Sequence, residues 1–123
     1  MTVGEMTRTG MGLRELCAYV RENGRDGGGE CRRLIYSAMQ QHPHAPHPHN
    51  LIGILLEQEG NHPAAMKHFR AAWALDPTYM PARWNLDSFG TFFSRGRYAY
   101  DESDCPGQGP RGWGVRAGNA AAD

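Results

Sequence analysis

The sequence has no long hydrophobic run and no excess of charge of either sign. Its longest near-continuous apolar stretch, residues 51–56, is far shorter than the roughly 20 residues that a membrane-spanning helix needs. Lys plus Arg and Asp plus Glu each number 13, so nothing attracts nucleic acid or acidic membranes in general. Residues 1–10 lack the apolar core of a secretory signal. We therefore expect a cytoplasmic protein that binds neither nucleic acid nor membranes.

Cysteine is scarce, and no catalytic or nucleotide-binding motif is visible. Cys17, Cys31 and Cys105 are odd in number and form no CxxC pair, which argues against a disulfide framework or a cysteine zinc site. The glycine-rich segment 24–29 has neither a preceding strand nor the Lys-Ser/Thr of a phosphate-binding loop. No Ser, His and Asp arrangement has the strand–turn–helix context of a nucleophile. We expect a protein that is not an enzyme and has no cofactor.

Glycine and proline, in contrast, are abundant and unevenly placed. The 16 glycines and 8 prolines make up about a fifth of the chain, against a usual share of roughly 12%. They concentrate in residues 24–29, in residues 43–48 and from residue 106 onward. Because the C-terminal segment has no hydrophobic period, we predict disorder for residues 101–123 and also for residues 1–10. The predicted folded domain is residues 11–100.

Within that domain the apolar residues recur at helical spacing. Leu13, Leu16, Cys17 and Val20, for example, form one stripe. No segment shows the alternation of a strand, so the predicted fold class is all-α. The predicted helices cover residues 11–23, 30–41, 48–59, 63–75 and 81–95.

The helices repeat with a period of 34 residues. Residues of matching size or chemistry occur at this offset in four pairs: Cys31 and Ala65, Ile35 and Phe69, Ala38 and Ala72, and Pro43 and Pro77. On the first helix of each pair the offset is 36, as between Gly24 and Gly60. The two extra residues lie in the glycine cluster at 27–29. Repeats of this length are typical of helix-turn-helix solenoids.

This pattern resembles that of the tetratricopeptide repeat family, W-x₂-L-G-x₂-Y, A-x₃-F and a late Pro. The unit at residues 46–79 matches it with Gly53, Ala65, Phe69 and Pro77. The unit at residues 10–45 has cysteines at the two small-residue positions, and Trp84-Asn85-Leu86 begins a half-repeat at residues 80–100. The resemblance implies a short α-α superhelix of two repeats plus a terminal helix. It also predicts a close helix crossing at Gly53 and Ala65.

In this family the first helix of each unit lines a concave groove that binds another protein. The resemblance therefore implies a groove for a peptide or helix, anchored near Trp84 and Phe92. An exposed aromatic end on the last helix further suggests a homo-oligomer. The predicted groove residues are Arg14, Arg21, Asn50, Ile54, Glu57, Gln58, Trp84, Ser88 and Phe92.

Two alternatives to a binding module stay open. His42, His44, His47 and His49 are four imidazoles within eight residues, a composition that suits Zn²⁺, Ni²⁺ or Cu²⁺. The intervening prolines, however, set successive rings facing different ways, which favours a polar turn between repeats. The other alternative is an accessory module of a larger enzyme. Cys17 and Cys31 are interpreted as small buried residues rather than as a redox pair.

Overall fold

The computed structural model describes residues 11–24, 29–90 and 97–105, and within them every regular element is helical. This confirms the all-α prediction. The elements are α1 (Leu13–Asn23), α2 (Gly29–Gln41), α3 (His47–Gln58), α4 (His62–Leu75), α5 (Met80–Phe89) and a 3₁₀ turn, η1 (Glu102–Asp104). None of these helices is long and apolar enough to cross a lipid bilayer. The predictions for residues 1–10, Phe92 and residues 106–123 fall outside the described residues.

Proline and glycine set the ends of the helices. Pro48, Pro63 and Pro81 lie in the first turns of α3, α4 and α5, where a missing N–H costs no helical hydrogen bond. Gly60 follows α3 with φ of +88°, a left-handed conformation that favours glycine. Its N–H donates to the carbonyl of Glu57, and the N–H of Asn61 donates to that of Leu56. This pair of bonds closes α3 and lets α4 begin two residues later.

Each helix packs on the next one in the chain, and α1 also contacts α3. The apolar stripes face inward as predicted: Leu16, Cys17 and Val20 of α1 are buried, and so are the matching positions of α2 and α4. Those matching positions are Cys31, Ile35, Ala38, Ala65, Phe69 and Ala72. The 34-residue period therefore marks residues that form the core.

Gly53 of α3 lies directly against the Phe69 ring of α4. A Cβ atom at this position would be 2.6 Å from Cε1 of Phe69, which is fully buried. The predicted close contact of Gly53 with α4 is thus present, and its pairing with Ala65 stays a prediction. The nearest atoms to Gly53 belong to the Phe69 ring rather than to Ala65. An aromatic ring this close to the α3 backbone leaves no room for a side chain at Gly53.

The C-terminal boundary differs from the predicted one. We expected structure to end at residue 100, whereas the described chain continues through η1 to Cys105, which is buried. Asp101 and Asp104 cap this turn, and both pair with Arg21 of α1. Composition alone could not show this, because the pairing partner lies some 80 residues away in the sequence.

Replacing Gly53 with alanine should destabilise the protein by about 1–3 kcal/mol, because the added methyl displaces the buried Phe69 ring. The matched control is Gly29→Ala on α2, where no atom lies within 4 Å of the added Cβ. That change should be neutral or should stabilise the protein by up to about 1 kcal/mol. Urea denaturation of both variants measures the difference. Equal midpoints would contradict the close approach at Gly53.

Candidate functional site

The first helices of the predicted units, α1, α3 and α5, share a face that contacts residues 97–105 of the same chain. We call it the α1/α3/α5 face. The residues of this face that hydrogen-bond to the segment are Arg21, Asn50, Gln58, Trp84 and Asn85. Four of these five were predicted from the sequence as groove residues. The structure thus brings them together, around a segment that the prediction had left without a partner.

Two asparagines at the centre of this face hold the main chain of Ala99. The side chains of Asn50 and Asn85 are fully buried and both donate to the carbonyl of Ala99, each at 2.9 Å. Asn85 Oδ1 accepts from the N–H of Ala99 at 3.0 Å. The second N–H of Asn85 donates to Asn50 Oδ1 at 2.9 Å. The Asn85 amide therefore binds both the N–H and the carbonyl of Ala99. The Asn50 amide adds a second bond to that carbonyl and also accepts a bond from Asn85.

Aromatic side chains flank this amide cluster on both sides. The ring of Tyr98 stacks on Phe89 of α5 with centroids 4.7 Å apart. The Tyr100 hydroxyl accepts from Gln58 of α3 at 3.3 Å. The indole N–H of Trp84 donates to the carbonyl of Arg97 at 3.0 Å. Phe89 and Trp84, which the sequence left as an exposed aromatic end, are thus contacted by the chain itself.

A charged contact completes the face on α1. Nη2 of Arg21 lies 2.8 Å from Asp101 and 3.0 Å from Asp104, and the guanidinium lies over the ring of Tyr100. Burial raises the pKa of Asp101, but hydrogen bonds from Ser103 and Arg21 outweigh it and hold that pKa below its usual value. Arg21 Nε is buried and has no hydrogen-bonding partner among the described residues. The guanidinium is therefore only partly satisfied by the two carboxylates.

The other predicted groove residues do not contact the 97–105 segment. Arg14 is exposed at the far end of α1, and Ile54 is fully buried in the core. The carboxylate of Glu57 lies 2.9 Å from His62 Nδ1 and so links the end of α3 to the start of α4. Ser88 is half-buried on α5, and Phe92 lies outside the described residues.

The histidine-proline segment does not form one cluster. His42 and His44 are exposed in the turn before α3, whereas His47 and His49 lie in the first turn of that helix. The ring of His47 packs against Tyr79, and His49 faces His68 instead. Within residues 11–24, 29–90 and 97–105, no three His, Cys, Asp or Glu side chains are placed to hold a metal ion.

His49 on α3 and His68 on α4 form a pair that the sequence did not indicate. Their Nδ1 atoms are 3.1 Å apart and their ring centres 5.4 Å apart. These distances differ by about twice the radius of an imidazole ring, so both nitrogens lie close to the line between the ring centres. That is the geometry of an N–H···N hydrogen bond, whereas a cation would need both lone pairs to converge on a third point. The bond survives while either ring is neutral and is lost when both are protonated.

The side chains of Cys17 and Cys105 are buried and held in their thiol form. Burial raises the pKa of Cys17 to about 12, and its Sγ lies 4.0 Å from the Tyr79 hydroxyl. Burial and the carboxylates of Asp104 and Glu102 likewise raise the pKa of Cys105 to about 12. A thiol with such a pKa is a poor nucleophile near neutral pH.

Sequence reasoning missed two parts of this face. Asn85 follows Asn50 by 35 residues, close to the repeat period, and that offset could have identified it. The segment 97–105 was missed because its contacts depend on main-chain groups, which every residue carries. The alternation of Tyr98 and Tyr100 followed by two aspartates was the available signal.

Comparison of the chain with models of known protein families, with curated protein sequences and with solved structures found no significant match. The resemblance to tetratricopeptide repeats therefore stays a prediction from the residue pattern.

Replacing Asn85 with alanine should destabilise the protein by about 2–4 kcal/mol. The change leaves the N–H of Ala99 and Oδ1 of Asn50 buried without a partner, at about 1–3 kcal/mol each. Asn23→Ala is the matched control, because that half-buried amide makes a single local bond to the Tyr19 carbonyl. Its loss should cost about 1 kcal/mol or less. Chemical denaturation with equal losses in the two variants would contradict the buried network.

Stability should fall as the pH decreases from about 7.5 to 5, partly through His49 and His68. Burial lowers the pKa of both imidazoles, and the neighbouring His49 lowers that of His68 further. Below their ordinary pKa of about 6.5 the unfolded chain therefore binds more protons than the folded one, so stability is lost. His49→Gln with His68→Gln should reduce this slope, measured by urea denaturation at several pH values. The exposed His42→Gln is the control, and an unchanged slope in the double variant would refute the pair's contribution.

Proposed function

We propose that the chain is a non-catalytic protein-interaction module that binds an extended peptide on the α1/α3/α5 face. It would be a tetratricopeptide-like α-α superhelix of two repeats and a terminal helix, with this face as its groove. The observation that supports the proposal best is the set of hydrogen bonds from Asn50 and Asn85 to the main chain of Ala99. The face already holds one polypeptide segment by the backbone of residues that lie outside any helix.

Recognition of a backbone amide suits a peptide ligand in particular. An asparagine side chain offers one acceptor and two donors, which match the N–H and carbonyl that every non-proline residue presents. Such bonds supply affinity for polypeptide in general, while flanking pockets supply specificity. Here Trp84, Phe89 and Gln58 contact the residues next to Ala99. The face thus combines a backbone-binding centre with side-chain contacts around it.

The chemistry of the described residues supports binding rather than catalysis. The Cys17 and Cys105 thiols are held protonated, and the His49 and His68 imidazoles bond to each other. The polar atoms at the centre of the face are engaged in hydrogen bonds to main chain or to each other. They are arranged to hold a polypeptide, and an activated nucleophile is not among them.

Selection from a random peptide library tests the proposal. The full chain carrying Asp101→Asn and Asp104→Asn, which loosens residues 97–105 by removing the charges facing Arg21, is used as bait. Selected peptides are then titrated into the ¹⁵N-labelled protein. We expect the side-chain amide signals of Asn50 and Asn85 to shift. Binding should be unchanged in a further variant with Trp73→Ala, since Trp73 is an exposed residue of α4.

Two outcomes would contradict the proposal. One is a library that yields no binding peptide although the bait is folded by circular dichroism. The other is a set of peptides that shift signals of α2 or α4 while the two asparagine amides stay in place. Either result would mean that the α1/α3/α5 face serves only to hold residues 97–105.

A further inference from the structure

Residues 97–105 contact the α1/α3/α5 face as a ligand would, with three kinds of interaction in a fixed order. Tyr98 and Tyr100 make the aromatic contacts, Ala99 makes the main-chain contacts, and Asp101 and Asp104 make the ionic ones. Ala99 is fully buried between the two aromatics. Because protein interiors are closely packed, this position selects a small residue.

The ionic part of this contact is incomplete. Both carboxylates bond to the same guanidinium nitrogen, Nη2 of Arg21, while Nε of Arg21 is buried and without a partner among the described residues. An arginine is best satisfied when one carboxylate bonds to two adjacent nitrogens at once. The internal segment does not provide that arrangement. A carboxylate from a separate peptide that reached both Nε and Nη2 would satisfy a group that the segment leaves unsatisfied.

The reason for this incomplete contact lies in the segment's own turn. Asp104 Oδ2 also accepts from the N–H of Tyr100 at 2.9 Å, and Asp101 Oδ1 accepts from the N–H of Ser103 at 2.9 Å. Each carboxylate therefore closes η1 as well as facing Arg21. A carboxylate that accepts hydrogen bonds from main-chain N–H groups of the turn is not free to align with the guanidinium of Arg21. The segment is in this sense a suboptimal ligand for the face that it covers.

We propose that residues 97–105 are a displaceable internal ligand, and that the partner of this face is an extended acidic peptide of aromatic–small–aromatic sequence followed by carboxylates. The inference rests on the proposed function and adds the partner's chemistry and the competition. The partner's small residue replaces Ala99 between Asn50 and Asn85. Its carboxylate replaces the aspartates at Arg21 and bonds to both Nε and Nη2.

A competition experiment with the full chain tests this inference. The probe is a fluorescein-labelled peptide of residues 97–105 with serine in place of Cys105 and both ends blocked. We expect the Asp101→Asn and Asp104→Asn protein to bind it about tenfold more tightly than the wild-type chain, because the internal segment competes less well without its charges. Glu102→Gln is the matched control, since Glu102 lies between the two aspartates and is exposed. That variant should bind the probe like the wild type.

A second peptide tests the chemistry of recognition. The same probe with both aspartates changed to asparagine should bind the Asp101→Asn and Asp104→Asn protein about tenfold more weakly than the acidic probe. Adding Arg21→Gln to that protein should abolish the difference in affinity between the two peptides, because Arg21 is the residue that binds the carboxylates. Circular dichroism confirms that each variant is folded.

The results separate this inference from the proposed function. Equal affinity of the wild-type and loosened proteins for the acidic probe would overturn the competition. Equal affinity of the loosened protein for the acidic and neutral probes would overturn the partner's chemistry. If library peptides without carboxylates still shifted the Asn50 and Asn85 signals, the proposed function would stand and this inference would fall. If no peptide reached the face, both would fall.

Discussion

The side-chain amides of Asn50 and Asn85 lie inside the protein, where an amide without a hydrogen-bonding partner is costly. The two amides bond to each other and to the main chain of Ala99. Each amide needs the other amide and Ala99 as hydrogen-bonding partners. This network therefore fixes the position of α5 relative to α3 and the course of residues 97–105 together. The aromatic contacts and the ion pairs on either side then extend from this fixed point.

A neutral chain can still carry a strongly polarised contact. The equal counts of acidic and basic residues predict no general field, but they say nothing about where individual charges meet. Arg21 and the two aspartates are far apart in sequence and adjacent in space. Their arrangement leaves Arg21 Nε without a hydrogen-bonding partner among the described residues, a detail that composition cannot express.

The apolar core supports this polar centre without taking part in it. Gly53 lets α3 approach the Phe69 ring of α4, which fixes the helix that carries Asn50 and Gln58. Pro48 and Gly60 define where that helix begins and ends. Since α3 also contacts α1 and α2, a change at the α3–α4 crossing would also displace residues of the α1/α3/α5 face. The packing of the core and the geometry of the α1/α3/α5 face are thus linked through one helix.

The sequence by itself determined the five helices, the approximate ends of the first four and most of their buried residues, because these depend on local spacing and on proline and glycine. The fifth helix ends at Phe89, earlier than the predicted residue 95. It also identified Arg21, Asn50, Gln58 and Trp84, since they occupy the faces of α1, α3 and α5 that their own helices leave open. Only the tertiary structure decided what covers them. The contacts of Ala99 are made by main-chain atoms, and the pairing of His49 with His68 depends on how α3 crosses α4. Neither leaves a periodic signal, because each requires groups from distant parts of the chain to meet at one distance and angle.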